Sequence, residues 1–265
     1  MRVHFIFSED IVLQNLMSEL SKTDIVTSKN EEITTEIDLV VVSTEISETH
    51  PDILKASNLG LKTIFYPEFI HEYFKNKTRV VITGSKGKEN VLAMVLHTMN
   101  FHDVPVSYFL ENPINGKQFQ LIEDAEFVLI EGDENLISNS NSQAKFLSYQ
   151  PTVALITGIS SEENSEKYSN FIDSLTKGGI LIYNEEDSLL KNIVKTSENP
   201  VRKLEYKTPD YQTDGKSLFL LTDEGQLLLK NIQPQEVINV EGAKWVCQNM
   251  GIDEVDFYEA MVSFS

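Results

Sequence analysis

The chain has 265 residues, 41% of them hydrophobic, enough to bury the core of one large domain or two ordinary ones. Its 22 basic and 41 acidic residues leave a net charge of −19, a surface that repels nucleic acid and anionic lipid, since both are held largely through Lys and Arg. The single cysteine, Cys247, excludes an intrachain disulfide framework or cysteine metal site.

From the N-terminus, residues 3–7 read as a strand. Their apolar run is too short, and Glu9 and Asp10 come too early, for a signal peptide. No apolar run approaches the ~20 residues of a membrane span, so the expected compartment is the cytoplasm. An amphipathic helix over 11–20, a strand over 37–43, a helix over 51–57 opening on Pro51, a strand over 61–65 and a helix over 67–74 follow. This rhythm predicts a parallel sheet covered by helices. A polar joint at Asn76-Lys-Thr78 separates it from a second set: a strand over 79–83, a helix over 88–99, strands over 126–131 and 153–157, a helix over 165–175, a strand over 179–183 and a helix over 188–194. Residues 203–206, 216–221 and 226–230 read as antiparallel strands, the last two joined by a turn at Asp223-Glu-Gly225. Helices over 237–250 and 255–263 close the chain, with Gly251 as the C-cap between them, and 138–142 is expected to be a mobile loop.

The segment Arg79-Val-Val-Ile-Thr-Gly-Ser-Lys-Gly-Lys-Glu-Asn90 carries the clearest chemistry. Glycines between a buried strand and a helix let the backbone approach a phosphate with its amide hydrogens inward, and the helix N-terminus adds partial positive charge. Gly84, Ser85, Gly87 and Lys88 are therefore candidate ATP contacts, with Lys88 reaching the outer phosphates. Such a loop needs Ser or Thr after the lysine to hold magnesium, and here Glu89 stands there. At ~4 Å and an effective dielectric near ~20, a carboxylate and a phosphate oxygen repel by about 4 kcal/mol. The competing reading is a turn kept only for its backbone shape; magnesium bridging Glu89 and phosphate would require a rearranged site.

Glu131-Gly-Asp133-Glu134 sets three carboxylates at a strand end, the edge of an open α/β sheet where ligands bind. Glu131 is the best candidate for a magnesium ligand; an acidic turn in an acidic protein is the other reading. Thr157-Gly-Ile-Ser-Ser-Glu162-Glu163 would open on the same crevice, with the two Glu as possible cation ligands or as an exposed helix start. His4, His50, His71, His97 and His102 show no metal-ligand spacing, and His97 reads as structural.

These segments, in this order, resemble the Mur ligases, ATP-dependent enzymes that join an amino acid or peptide to UDP-N-acetylmuramic acid. The resemblance runs through Leu39-Val-Val-Val-Ser-Thr44 by way of Pro51 to Leu59-Gly-Leu-Lys-Thr63, the loop at Thr83–Asn90, Glu131-Gly-Asp-Glu134, Thr157-Gly-Ile159, Gly178-Gly-Ile-Leu-Ile-Tyr-Asn184 and Asn239-Val-Glu-Gly-Ala243. It implies an α/β fold: a small Rossmann-like N-terminal parallel-sheet domain on the UDP side at 1–77, and a central P-loop-type domain on the ATP side at 78–265 with a short antiparallel extension. It also implies ATP and magnesium as cofactors, Asn239 on the adenine side, and Lys88 and Glu131 as the residues nearest the chemistry.

The departures from the family are as informative. The N-terminal glycine-rich turn is replaced by Phe7-Ser8-Glu9-Asp10, the magnesium-binding Thr by Glu89, an Asp-His pair by Glu162-Glu163, and a His-Asn pair by Gln235-Glu236. The sequence runs to Ser263-Phe264-Ser265, where the family continues, so the C-terminal ligase domain is expected to be absent. Together these lead to an expected pseudoenzyme with a vestigial ATP site and no working cofactor. It would act as a binding, regulatory or assembly partner of an unknown protein near cell-wall metabolism, with a UDP-muramyl precursor as a possible ligand. The alternatives are an active ligase with a remodelled site and an ATP-sensing module without turnover.

Overall fold

A computed structural model describes residues 1–28, 31–138, 142–215, 217–223 and 225–264. The loop expected over 138–142 falls mostly on 139–141, outside the described residues. The first unit contains β1 (Arg2–Ile6), α1 (Ile11–Leu20), β2 (Ile25–Ser28), β3 (Leu39–Val42), α2 (Pro51–Asn58), β4 (Thr63–Phe65) and α3 (Tyr66–Tyr73). Its four strands pair in parallel in the order β2-β1-β3-β4. Every residue of β3 is buried, which is why it reads as an unbroken Leu-Val-Val-Val run without alternation.

The second unit begins with β5 (Thr78–Thr83) and α4 (Lys88–Phe101), then the hairpin β6 (Val106–Ile114) and β7 (Lys117–Gln120). It continues through β8 (Phe127–Glu131), a 3-10 turn (Lys145–Tyr149), β9 (Val153–Ile156), α5 (Ser165–Ser174), β10 (Ile180–Asn184), α6 (Ser188–Thr196) and β11 (Arg202–Tyr206). These strands form a seven-stranded sheet in the order β11-β10-β9-β5-β8-β6-β7, parallel except for β7. A separate three-stranded antiparallel sheet, β12 (Tyr211–Thr213), β13 (Leu218–Thr222) and β14 (Gly225–Leu229), precedes α7 (Val237–Asn249) and α8 (Glu254–Met261).

One sequence expectation is corrected. The strand at 203–206 is parallel, registered against β10 as Leu181↔Lys203, and belongs to the large sheet. The helix α6 between the two strands carries the chain back to its starting edge, so the next strand runs in the same direction. The β6–β7 hairpin was not expected, although its Asn115-Gly116 turn, with φ of +51° and +73°, is the two-residue type that suits a hairpin twist.

A continuous apolar core lies between the units. Phe5, Leu13, Leu16 and Phe69 of the first belong to one cluster with Phe109, Phe146 and Tyr149 of the second, and Tyr66 packs its ring against Phe109 across the joint. The joint between them is pinned. Arg79 is buried, and its guanidinium donates to the carbonyls of Tyr149 (3.0 Å), Gln150 (2.9 Å), Lys75 (3.1 Å) and Lys77 (3.3 Å). Lys77 Nζ donates to the Ile122, Glu123 and Ala125 carbonyls. Among the described residues no helix is long and apolar enough to cross a membrane.

Candidate functional site

The loop between β5 and α4 stands at the carboxyl edge of the large sheet. Gly84 has φ +136°, and a Cβ there would lie 2.0 Å from Thr157 Oγ1 and 2.9 Å from the Thr157 nitrogen. Gly87 has φ +84°, and a Cβ there would lie 2.5 Å from Asn239 Oδ1. Both glycines are thus required twice, by a backbone conformation that other residues resist and by the close approach of a neighbour. The second approach brings Asn239 of α7 onto the loop at Gly87.

The 157–160 segment is laced to the loop. Thr157 Oγ1 donates to the Lys86 carbonyl at 2.6 Å, the Ser85 amide donates to the Gly158 carbonyl at 3.0 Å, and the Ser160 amide donates to Ser85 Oγ at 2.9 Å. One amide of the loop is therefore spent on the protein itself. A cavity of about 360 Å³ opens alongside, lined by Ser85, Lys86, Thr157, Gly158, Asn184 and Asp187 among others. Asp187 caps α6 through the Leu190 amide and accepts the Ile159 amide at 2.7 Å.

Glu131 ends β8 almost fully buried, at 1% exposure. Its Oε1 lies 3.3 Å from Lys88 Nζ and accepts from Asn112 Nδ2 at 3.2 Å, while Oε2 accepts the Asn112 amide at 3.0 Å. Glu89 is exposed on the first turn of α4. Asn90 donates to Glu236 Oε1 at 2.8 Å, and Glu236 also accepts the Gln233 amide, closing a capping box ahead of α7. Glu162 and Glu163 lie exposed on a short 3-10 turn. Asp10, immediately before α1, caps that helix by accepting the Leu13 amide at 3.1 Å and accepts the Ser43 hydroxyl at 2.6 Å. Two of the acids that depart from the family, Asp10 and Glu236, are thus helix caps.

A second polar cluster, not foreseen from sequence, lies where the two units meet. Lys145 Nζ is 2.8 Å from Asp133 Oδ2 and 3.5 Å from Glu111 Oε2, and the Tyr66 hydroxyl donates to Glu111 Oε1 at 2.8 Å. Burial pushes the Glu111 carboxyl up to about 7 against the opposing pull of Lys145. Burial also acts on Asp133, but Lys145 and Asn135 outweigh it and hold that carboxyl below its usual range. Burial disfavours the Lys145 ammonium, yet Glu111 and Asp133 keep its pKa raised. Among the described residues no three His, Cys, Asp or Glu side chains converge as a metal site.

This architecture has known counterparts. The UDP-N-acetylmuramate–L-alanine ligase of Carboxydothermus hydrogenoformans is 25% identical over 264 residues, which cover 89% of this chain and 54% of the relative. The enzyme of that name from Lacticaseibacillus casei is 27% identical over 173 residues, 65% of this chain and 36% of the relative. Among solved structures, the UDP-N-acetylmuramate:L-alanyl-gamma-D-glutamyl-meso-diaminopimelate ligase from Neisseria meningitides covers the whole chain with a TM-score of 0.77 at 15% identity, matching 98% of that chain. The UDP-N-acetylmuramate-alanine ligase from Thermotoga maritima does so with a TM-score of 0.71 at 16% identity, matching 68% of that chain. The chain resembles the Mur ligases in sequence and shares their fold. No protein-family model matches it. It spans about half the length of its first curated Mur ligase relative, 54%.

In the structure Gly87 packs against Asn239, and Lys88 pairs with Glu131. Asn112, Glu111 and Lys145 had no sequence signal, because β6 and the 3-10 turn carrying them were not legible as elements.

Proposed function

We propose that the chain is a catalytically inactive Mur-ligase relative attached to peptidoglycan-precursor metabolism, acting as a binding, regulatory or assembly partner of another protein. We take residues 1–77 and 78–265 as its UDP-side and ATP-side domains. The observation that carries this reading is the state of Glu131. The carboxylate that the family resemblance assigns to magnesium is buried and already accepts donors from Lys88 and Asn112 on both oxygens. The position after Lys88 carries the exposed carboxylate Glu89 instead of a hydroxyl. As folded, this donor set does not fit magnesium, which demands nearly ideal octahedral oxygen ligation at ~2.0–2.1 Å and keeps several waters. No catalytic step is assigned to the chain.

A second reading, ATP sensing without turnover, is favoured by the 360 Å³ cavity beside a loop whose two glycines keep their left-handed geometry. Calorimetry with ATP and magnesium and with UDP-N-acetylmuramate, followed by a phosphate-release assay, separates the readings. The inactive partner gives no phosphate release. ATP binding without release, abolished in Lys88→Ala, supports the sensor. Micromolar binding of both ligands with turnover refutes inactivity and returns the chain to the active ligases.

A further inference from the structure

Asn112 directs both of its donors at one carboxylate. Its backbone amide reaches Glu131 Oε2 at 3.0 Å and its side-chain amide reaches Oε1 at 3.2 Å. It can do so because β6 is the parallel neighbour of β8, with Phe109 opposite Ile130 and the chain continuing past the end of Glu131's strand. From the other side, the left-handed turn at Gly87 launches α4 so that Lys88, its first residue, brings Nζ to 3.3 Å from Oε1. Lys88 is 16% exposed and Glu131 1%, so water screens the pair little.

We propose that the Lys88 ammonium is the resident cation of this position, that Asn112 holds Glu131 for it, and that the chain takes no divalent ion there. A dication there would lie against an ammonium of like sign and compete with three donors already on the carboxylate oxygens. The inference rests on the inactive-relative reading and gives it a physical cause in Asn112, a residue outside the loop.

A metal-ligating carboxylate and an internal counter-ion answer substitution with opposite signs. Removing a carboxylate kept for function commonly leaves the metal-free protein as stable or more stable. Removing one partner of a buried ion pair strands the other charge and destabilises. The test is thermal unfolding of the full chain, of its Glu131→Gln, Asn112→Ala and Lys88→Met variants, and of the Glu131→Gln/Lys88→Met double variant, without nucleotide, in EDTA and in about 10 mM MgCl2 or MnCl2. The expected result is a melting temperature lowered by several degrees in Glu131→Gln and by less in Asn112→Ala. Lys88→Met is expected to cost little more once Glu131 is Gln, because the pair acts as a unit. The wild-type melting temperature is expected to move by less than about 1 °C with either metal. A metal-dependent rise of about 3 °C or more that vanishes in Glu131→Gln would overturn the proposal, because a ligand bound only to the folded state raises the midpoint by mass action. A higher melting temperature for Glu131→Gln in EDTA would overturn it as well. Phosphate release is measured on the same samples: metal stabilisation without release overturns this inference and leaves the inactive reading standing, whereas release without metal stabilisation does the reverse.

Discussion

Replacing Glu111 by Gln isolates the titration of one buried carboxyl at the junction of the two units. Glu111 and Lys145 are 11% and 12% exposed, so solvent screening is limited. The folded-state pKa is raised from 4.5 to about 7, chiefly by burial. A raised carboxyl pKa means that the folded chain holds its proton more tightly than the unfolded chain, so this contribution to stability is complete below the unfolded pKa and is lost as pH rises towards the folded one. Between about pH 5 and pH 8 the two values give a loss of about 2.5 kcal/mol in the wild type that Gln, which cannot ionise, does not share. For a chain of this size that corresponds to about 5–10 °C in melting temperature. Other groups titrate in the same window; His4 and His71 have lowered pKa values through burial and push the opposite way. The quantity to measure is therefore the difference between wild type and variant. Urea unfolding at several pH values gives it directly, and the variant is expected to gain steadily on the wild type as pH rises. Parallel stability profiles over this range would refute the reasoning and mean that Lys145 and the Tyr66 hydroxyl keep Glu111 ionised throughout.

Gly84→Ala places a methyl group 2.0 Å from Thr157 Oγ1 at φ +136°, so a loss of about 3 kcal/mol or more is expected; a loss below about 1 kcal/mol in urea unfolding would show that the loop and the 157–160 segment part readily. Arg79→Met leaves the carbonyls of Phe74, Lys75, Lys77, Tyr149 and Gln150 without this donor, and a loss of about 3–5 kcal/mol is expected from denaturant unfolding. Cys247 is fully buried, and burial pushes its thiol up to about 12, so a thiol reagent at neutral pH is expected to react only after unfolding. Fast reaction of the native chain would place α7 less firmly in the core than its contacts indicate.

Strands that are buried on both faces were legible because their apolar runs are unbroken: residues 39–42, 80–82 and 153–156 stand out without any partner in view. Helices were legible where period and caps agreed, as in α1, which spans the expected 11–20 behind Asp10. The strand at 25–28 escaped because it is a half-exposed edge with a Thr-Ser end. The direction of β11 escaped because Arg202-Lys-Leu-Glu-Tyr206 alternates like a surface strand, and strand direction is decided by the connection rather than by composition.

The same division runs through the site. By itself, the sequence determined which residues the loop would offer, namely Gly84, Ser85, Gly87, Lys88 and the aberrant Glu89, since a glycine-rich turn between strand and helix is a local pattern. It also singled out Glu131 by its place at a strand end. The partners of those groups came only from the tertiary structure. Asn112 stands 19 residues from Glu131, Asn239 stands 152 from Gly87, and Glu236 stands 146 from Asn90. Whether a carboxylate waits for a metal or answers a lysine depends on donors that chain folding delivers from such distances, and no local pattern encodes them.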